Sequence, residues 1–295
     1  MIFRTKGQKI FNFFNYIFVI AICLSCFLPL LNTLAVSFSS PSFAASGKVY
    51  FWPKGFTTMS YDFAIKNGKF LRAFQVSILR CVLGVSINLF MMVTTAYPLS
   101  KPSSRFKARN FYTGFYIFTM LFGGGLIPYY ILVSQLGLMN TIWALVLPLS
   151  VPVYSMVILM NFMRSLPAEL EEAAMIDGAG HFRTLFSIYL PVLKPALATV
   201  GLFAFVYHWN DWFTGALFMH SPENYPLQTY LQTLLVNFRE MLRQSGSNYY
   251  ELLRRMNEQT GRAAQLFLGL VPILIVYPFL QKYFTTGLVV GSVKG

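Results

Sequence analysis

Residues 208–212 read His-Trp-Asn-Asp-Trp and place an imidazole, an amide, a carboxylate and two indoles inside an apolar stretch. Carbohydrate sites combine aromatic faces with a few polar groups that bind hydroxyls. The candidate sugar contacts are therefore Trp209, Asn210, Asp211 and Trp212, together with Tyr129 and Tyr130. The alternative is that the two tryptophans anchor the chain at a membrane–water interface.

No catalytic constellation accompanies these side chains. His181, His208 and His220 lie in three different segments, and neither an H-E-x-x-H spacing nor a phosphate-binding G-x-x-x-x-G-K-[ST] loop occurs. Cys23 and Cys26 would need two further ligands to hold a metal, so we expect them, like the third cysteine, to pack in a core. The sequence predicts no catalytic residue, no metal site and no ATPase site of its own.

Acidic residues concentrate in one segment, which holds four of the ten in the chain: Glu169, Glu171, Glu172 and Asp177. Pro167 suits the first turn of a helix, and the glutamates favour its positive end. Gly178 permits a sharp turn, after which residues 181–189 have the pattern of a second, amphipathic helix. Its apolar side is predicted to contain Phe182, Leu185, Phe186 and Ile188. The prediction is a helical hairpin over 167–189, and the alternative is a charged surface loop.

The hairpin resembles the EAA coupling motif of ABC importer permeases. The spacing E-A-A-x-x-D-G-A-x8-I-x-L-P matches from Glu172 to Pro191. In that family the hairpin docks into a cleft of a cytoplasmic ATPase and transmits its movement to the spans. The resemblance assigns ATPase coupling to Glu172, Ala173, Ala174, Asp177, Gly178 and Ala179. It places Glu172 and Gly178 at the centre of the contact.

The composition predicts an all-α polytopic membrane protein. Of the 295 residues, 56% are hydrophobic and only 11% are charged, and the mean hydropathy is +0.55. The net charge of +13 is spread between the apolar runs, and not gathered on one face. This distribution favours anionic membrane lipid over nucleic acid as the partner of the positive charge.

The apolar runs predict six transmembrane helices in one domain over residues 1–295. The resemblance to ABC importer permeases implies that this is a permease domain with the type I fold. The expected spans are about 10–38, 73–97, 111–134, 140–163, 190–218 and 263–281, with coupling helices at 167–189. A hinge is predicted in the third span at Gly123, Gly124, Gly125 and Pro128. Arg80 interrupts the second span, and we expect it to reach the interface or line an aqueous cavity.

Basic residues predict the orientation. Arg4, Lys6 and Lys9 precede the first span, and the short loop 98–110 carries four Lys/Arg and no acid. By the positive-inside rule both lie in the cytoplasm, and six spans then put both termini there. The hairpin falls on the same side. The resemblance implies a bacterial cytoplasmic (inner) membrane.

Further stretches are similar to carbohydrate-importer permeases of the maltose-importer type, second permease subunit. Within that group they resemble the branch with a lipoprotein-associated permease of Gram-positive bacteria and the alginate importer. The matching stretches are 122–129, 136–138, 209–210 with 212, 225–228 and 277–284. The resemblance implies a second homologous permease, two ATPase subunits that bind ATP and Mg, an extracytoplasmic solute-binding protein and a carbohydrate substrate. It implies no cofactor on this chain.

The resulting expectation is a permease subunit of an ATP-driven, binding-protein-dependent importer that moves a carbohydrate by alternating access. The outer loop 39–72 has five basic residues and one acid, which favours an acidic oligosaccharide such as an alginate-type uronate. Docking of the binding protein or of lipid headgroups explains the same charge. The alternatives are a membrane-embedded glycosyl or polyprenyl transferase, and an ABC permease for another solute such as a peptide.

Overall fold

The computed structural model describes residues 6–66, 68–233 and 258–292. Within these ranges the regular elements are α-helices with short 3-10 and π turns, so the all-α prediction is confirmed. The helices are α1 (Lys6–Ser37), α2 (Pro41–Ala45), α3 (Met59–Lys66), α4 (Gly68–Ser100), α5 (Arg109–Leu121), α6 (Leu126–Gln135), α7 (Ile142–Val146), α8 (Val153–Arg164), α9 (Ala168–Ile176), α10 (His181–Thr184), α11 (Leu190–Val192), α12 (Lys194–Asn210), α13 (Phe213–Phe218) and α14 (Glu258–Ser292). The 3-10 turns are Leu147–Leu149 and Pro222–Asn224, and a π turn covers Leu185–Tyr189.

Three helices within the described ranges are long and apolar enough to cross a membrane: α1, α4 and the part of α14 up to Pro278. Three bent helix pairs raise the number to six if each pair is one span. They are α5 with α6, α7 with α8, and the segment His181–Val192 with α12. The predicted spans 73–97 and 263–281 lie within α4 and α14, and 10–38 overlaps α1, which ends at Ser37. That each bent pair crosses the membrane once stays a prediction.

The sharpest of the three bends lies at the glycine cluster. α5 ends at Leu121, α6 begins at Leu126, and the two axes differ by 113°. Gly125 has φ of 87°, a conformation that residues with a Cβ rarely adopt. The helix is therefore broken where Gly123, Gly124 and Gly125 predict a bend, and its role as a moving hinge stays a prediction.

The chain divides into two compact units, residues 1–68 with 231–271 and residues 69–230 with 272–295. In the first unit, Asn32 donates to the carbonyls of Val49 and Tyr50 and so ties α1 to the following loop. α1 exposes its apolar surface, with 0% of its most hydrophobic window buried. The prediction that Cys23 and Cys26 pack in a core was therefore wrong, because both are exposed on that helix. The third cysteine, Cys81, is buried.

The second unit has its main apolar core where α4, α8 and α12 meet. Representative buried side chains are Met92 of α4, Leu159 of α8 and Val200 of α12, each 0% exposed. Leu185 and Tyr189 of the π turn belong to the same cluster. The second arm of the predicted hairpin is thus packed into the helix core and positioned by it.

Asn140 joins two loops of the second unit. It has φ of 59°, which Asn tolerates better than most residues. Its Oδ1 accepts the amides of His220 and Ser221 at 3.2 and 3.1 Å, and its Nδ2 donates to Ser221 Oγ at 3.0 Å. One side chain therefore satisfies several groups of a distant loop.

Replacing Asn140 with alanine is expected to lower the free energy of unfolding by about 1–3 kcal/mol, because it leaves loop amides without acceptors. Thermal unfolding of the purified chain in detergent measures the loss. Asn110→Ala removes an exposed amide and serves as the control. Equal melting temperatures for the two variants would show that Asn140 does not hold the loops together.

Candidate functional site

The predicted hairpin is present, and its turn has a specific backbone geometry. α9 ends at Ile176, and Gly178 has φ of 74°. The amide of Ala179 donates to the carbonyl of Ala174 at 2.8 Å, and that of Gly178 to Met175 at 3.0 Å. These two bonds are the Schellman arrangement, which closes a helix through a left-handed residue and favours glycine there. The glycine of the D-G-A sequence is therefore explained by the turn that ends α9.

One side of the hairpin is open. Glu172, Ala173 and Asp177 are exposed, whereas Ala174 faces the interior. Ile176 and Phe182, at the tip, have 86% and 80% of their surface exposed. The prediction that the apolar residues of the second helix share one side was wrong. Phe182 and Phe186 are exposed, whereas Leu185 is buried. A π turn at 185–189 changes the register, so the apolar residues do not share one face.

The other side of the hairpin is held by a buried ion pair. Glu171 is 5% exposed, and its Oε1 lies 2.9 Å from Lys101 Nζ and 3.2 Å from Arg105 Nη1. Tyr189 donates its hydroxyl to Glu171 Oε2 at 3.2 Å and accepts from Lys101 Nζ at 3.1 Å. Lys101 also lies over the rings of Tyr97 and Tyr189, 4.0 and 4.3 Å from their centroids. Burial lowers the pKa of Lys101, and the hydrogen bond and charge of Glu171 oppose that shift.

Sequence reasoning did not identify Glu171 as this anchor. It is adjacent to Glu172, and both are glutamates in an acid-rich helix, so their types and spacing do not distinguish them. A signal existed in the loop 98–110, whose four basic residues have no acid of their own. Two of them, Lys101 and Arg105, find their acid in the hairpin.

The candidate sugar contacts at 209–212 have different environments. Trp209 is 2% exposed and packs edge to face on Phe74, with ring centroids 5.9 Å apart. Asn210 and Trp212 are exposed. Asn210 and Trp212 present their side chains at the surface of the chain, whereas Trp209 would need its packing to open before it could contact a solute. The role of these residues as substrate contacts stays a prediction.

Asp211 is engaged within the protein. Its Oδ2 lies 2.5 Å from Arg80 Nη2, and its Oδ1 accepts the amides of Phe213 and Thr214 at the start of α13. Arg80 is 0% exposed and also donates to the carbonyl of Asp211 at 2.8 Å. The expectation that Arg80 reaches the interface or lines an aqueous cavity was therefore wrong. A carboxylate 131 residues away satisfies its charge instead.

Tyr129 and Tyr130 come together around one ring. Their centroids lie 5.3 and 6.3 Å from that of Phe218, at the end of α13. Tyr129 is half-buried and Tyr130 is exposed. Within the described residues no group of three or more His, Cys, Asp or Glu side chains could hold a metal ion.

Comparison with known proteins identifies a family and close relatives. A family model for the binding-protein-dependent transport system inner membrane component matches residues 63–289. Protein LplC of Bacillus subtilis (strain 168) is 38% identical over 292 residues, which is 99% of this chain and 97% of that protein. The polygalacturonan/rhamnogalacturonan transport system permease protein YtcP of the same organism is 33% identical, covering 98% of this chain and 99% of that protein.

A solved structure is also similar. It is a chain of a bacterial ABC transporter involved in the import of the acidic polysaccharide alginate, with a TM-score of 0.86 and 28% identity. The match covers 96% of this chain and 100% of that chain. The type I ABC importer permease fold is confirmed, and so is the prediction of a transport subunit rather than an enzyme. This chain belongs to the family of binding-protein-dependent transport system inner membrane components.

Proposed function

We propose that the chain is the permease subunit of an ATP-driven importer that moves a carbohydrate by alternating access. The observation that carries the proposal is the two-sided hairpin. Its motif residues Glu172, Ala173 and Asp177 are exposed, while Glu171 and Leu185 fasten its other side to the helix core. A surface held in this way can transmit a push or pull to α8 and α12, which it connects.

The proposal requires partners of defined chemistry. ATP and Mg bind to two separate ATPase subunits, and the cleft of one of them receives the exposed hairpin tip at Ile176 and Phe182. A second, homologous permease completes the translocation path, and an extracytoplasmic binding protein delivers the solute. Both termini lie in the cytoplasm, on the same side as the hairpin and the basic loop 98–110.

The proposed cargo is an oligosaccharide that contains uronate residues. Two similar proteins support it, because one transports polygalacturonan or rhamnogalacturonan by name and another takes part in alginate import. Exposed Asn210 and Trp212 offer an amide for hydroxyls and an indole face for sugar rings. Arg80 is not available to an acidic sugar, since it is buried against Asp211. The exposed basic residues between 39 and 72 are a source of attraction for the carboxylates of such a sugar.

Glu172→Ala and Gly178→Val are expected to uncouple ATP hydrolysis from uptake. In the proposed complex the ATPase cleft buries Glu172, and loss of a buried charged contact costs about 2–5 kcal/mol. Uptake per ATP should therefore fall at least about tenfold. Gly178→Val acts through the backbone, since valine is strained at φ of 74°. Glu169→Ala, an exposed acid outside the motif, should keep normal coupling.

The measurement is uptake of labelled oligouronate, neutral oligosaccharide and peptide by proteoliposomes that contain the co-purified subunits. ATP hydrolysis is followed in the same vesicles. Uptake of the oligouronate alone supports the proposed cargo. Preferred uptake of the neutral oligosaccharide or of the peptide would show that the cargo is that solute instead. Normal coupling in both hairpin variants would reject the docking surface.

A further inference from the structure

A side chain of α4 bridges the turn that precedes α8 and the end of α12, both in the second unit. Asn88 is 2% exposed and donates through Nδ2 to the carbonyls of Leu149 and Ser150 at 2.8 and 2.9 Å. Its Oδ1 lies 2.8 Å from Nε2 of His208, which is 1% exposed. Because two carbonyl acceptors fix the orientation of the amide, Nε2 of His208 must be the nitrogen that carries hydrogen.

The two carbonyls belong to a break in the helix path. The segment Ile142–Leu149 and α8 differ in direction by 47°, and α8 begins only at Val153. The turn Leu147–Leu149 ends before α8 begins, and Pro152 between them has no amide hydrogen, so the carbonyls at the end of this turn lack partners within a helix. Asn88 supplies donors to two of them. This bend therefore depends on a side chain from another helix.

Glycine makes the bridge possible. A Cβ at Gly84 would overlap the imidazole of His208, closer than real Cβ contacts allow. Gly84 and Asn88 are four residues apart on α4, on the same stripe as Arg80. This stripe meets the end of α12 twice, through Arg80 with Asp211 and through Asn88 with His208.

The bridge and the hairpin lie at opposite ends of the same two helices. α8 runs from the bend at 149–152 to Arg164, and the hairpin follows it directly. α12 follows the hairpin and ends at Asn210, and the two helices pack on each other. The hairpin joins one end of the pair, and Asn88 joins the other end, about 18 Å away along α8. The two helices are therefore connected at both ends.

We propose that Asn88 and His208 are positioning residues that make α8 and α12 respond as one lever to movement of the coupling hairpin. Movement of the hairpin then displaces residues 210–212, because the bend at Pro152 cannot flex independently of α12. The inference rests on the proposed function of the hairpin. Neither residue needs to touch the substrate or ATP for this role.

The experiment measures uptake and ATP hydrolysis by the complete importer in proteoliposomes, at equal amounts of folded protein. Asn88→Leu and His208→Leu should lower uptake per ATP about tenfold, with an unchanged KM for the loaded binding protein. The double variant should be no worse than either single variant, as expected for two residues of one bridge. His208→Gln keeps an N–H donor and should recover part of the coupling.

Two matched controls remove hydroxyls that bond to carbonyls within their own helix. Thr95→Val on α4 and Thr199→Val on α12 should keep wild-type uptake per ATP. Normal coupling in Asn88→Leu and His208→Leu overturns the inference. A second result would also overturn it. If uptake and ATP hydrolysis fall in proportion in these variants and in the threonine controls, the role of Asn88 and His208 is purely structural.

Glu172→Ala in the same vesicles separates this inference from the proposed function. If Glu172→Ala is uncoupled and Asn88→Leu is normal, the lever is rejected and the hairpin stands. If Glu172→Ala is normal, the docking surface is rejected. Gly84→Ala displaces His208 without changing a polar group, and it should reproduce the loss seen in Asn88→Leu.

Discussion

Asp211→Ala is expected to lower the free energy of unfolding by about 3–5 kcal/mol, because it leaves the guanidinium of Arg80 buried without its counter-ion. Arg80 is 0% exposed, and one of its nitrogens lies 2.5 Å from the carboxylate. The same substitution removes the acceptor for the first amides of α13, at Phe213 and Thr214. Loss of such a cap adds about 1 kcal/mol. Thermal unfolding in detergent is the measurement.

The matched comparison is the double variant Arg80→Met/Asp211→Ala. It removes both charges and should recover part of the stability lost in Asp211→Ala, since replacing a buried pair with apolar groups is often neutral. If Asp211 instead served as a sugar contact alone, Asp211→Ala would raise the KM for sugar and leave the melting temperature unchanged. That outcome would contradict the structural role.

Glu171→Ala should cost a similar amount, about 3–5 kcal/mol, because Lys101 would remain buried without its carboxylate. Lys101→Ala should cost less, since Glu171 keeps Arg105 and the hydroxyl of Tyr189. Thermal unfolding and limited proteolysis of the hairpin measure the two losses. We expect cleavage between 164 and 189 to accelerate in Glu171→Ala.

The neighbouring glutamate provides the control. Glu172 is exposed, and surface substitutions usually change stability by less than about 0.5 kcal/mol. Glu172→Ala should therefore keep the wild-type melting temperature and lose coupling. Glu171→Ala should instead have a lower melting temperature. Equal melting temperatures for the two variants would contradict the assignment of Glu171 as the anchor.

The hairpin illustrates how far sequence reasoning reaches. Its two arms and its turn follow from local rules, since Pro167 stands at the start of a helix and Gly178 ends that helix through a left-handed residue. The sides of the hairpin do not follow, because the π turn at 185–189 shifts the register of the second arm. Phe182 lies before that turn, exposed at the hairpin tip, whereas Leu185 packs into the core, so two residues predicted on one side have opposite environments.

The sequence by itself determined the membrane class through composition. It also determined the all-α fold, the helical hairpin and the break at Gly123–Gly125, because helix ends and glycine conformations depend on a few neighbouring residues. Only the tertiary structure decided which charges pair. Arg80 meets Asp211 across 131 positions, and Lys101 meets Glu171 rather than Glu172. A buried charge needs a partner, but the folding of the helices selects it, and no local pattern encodes that choice.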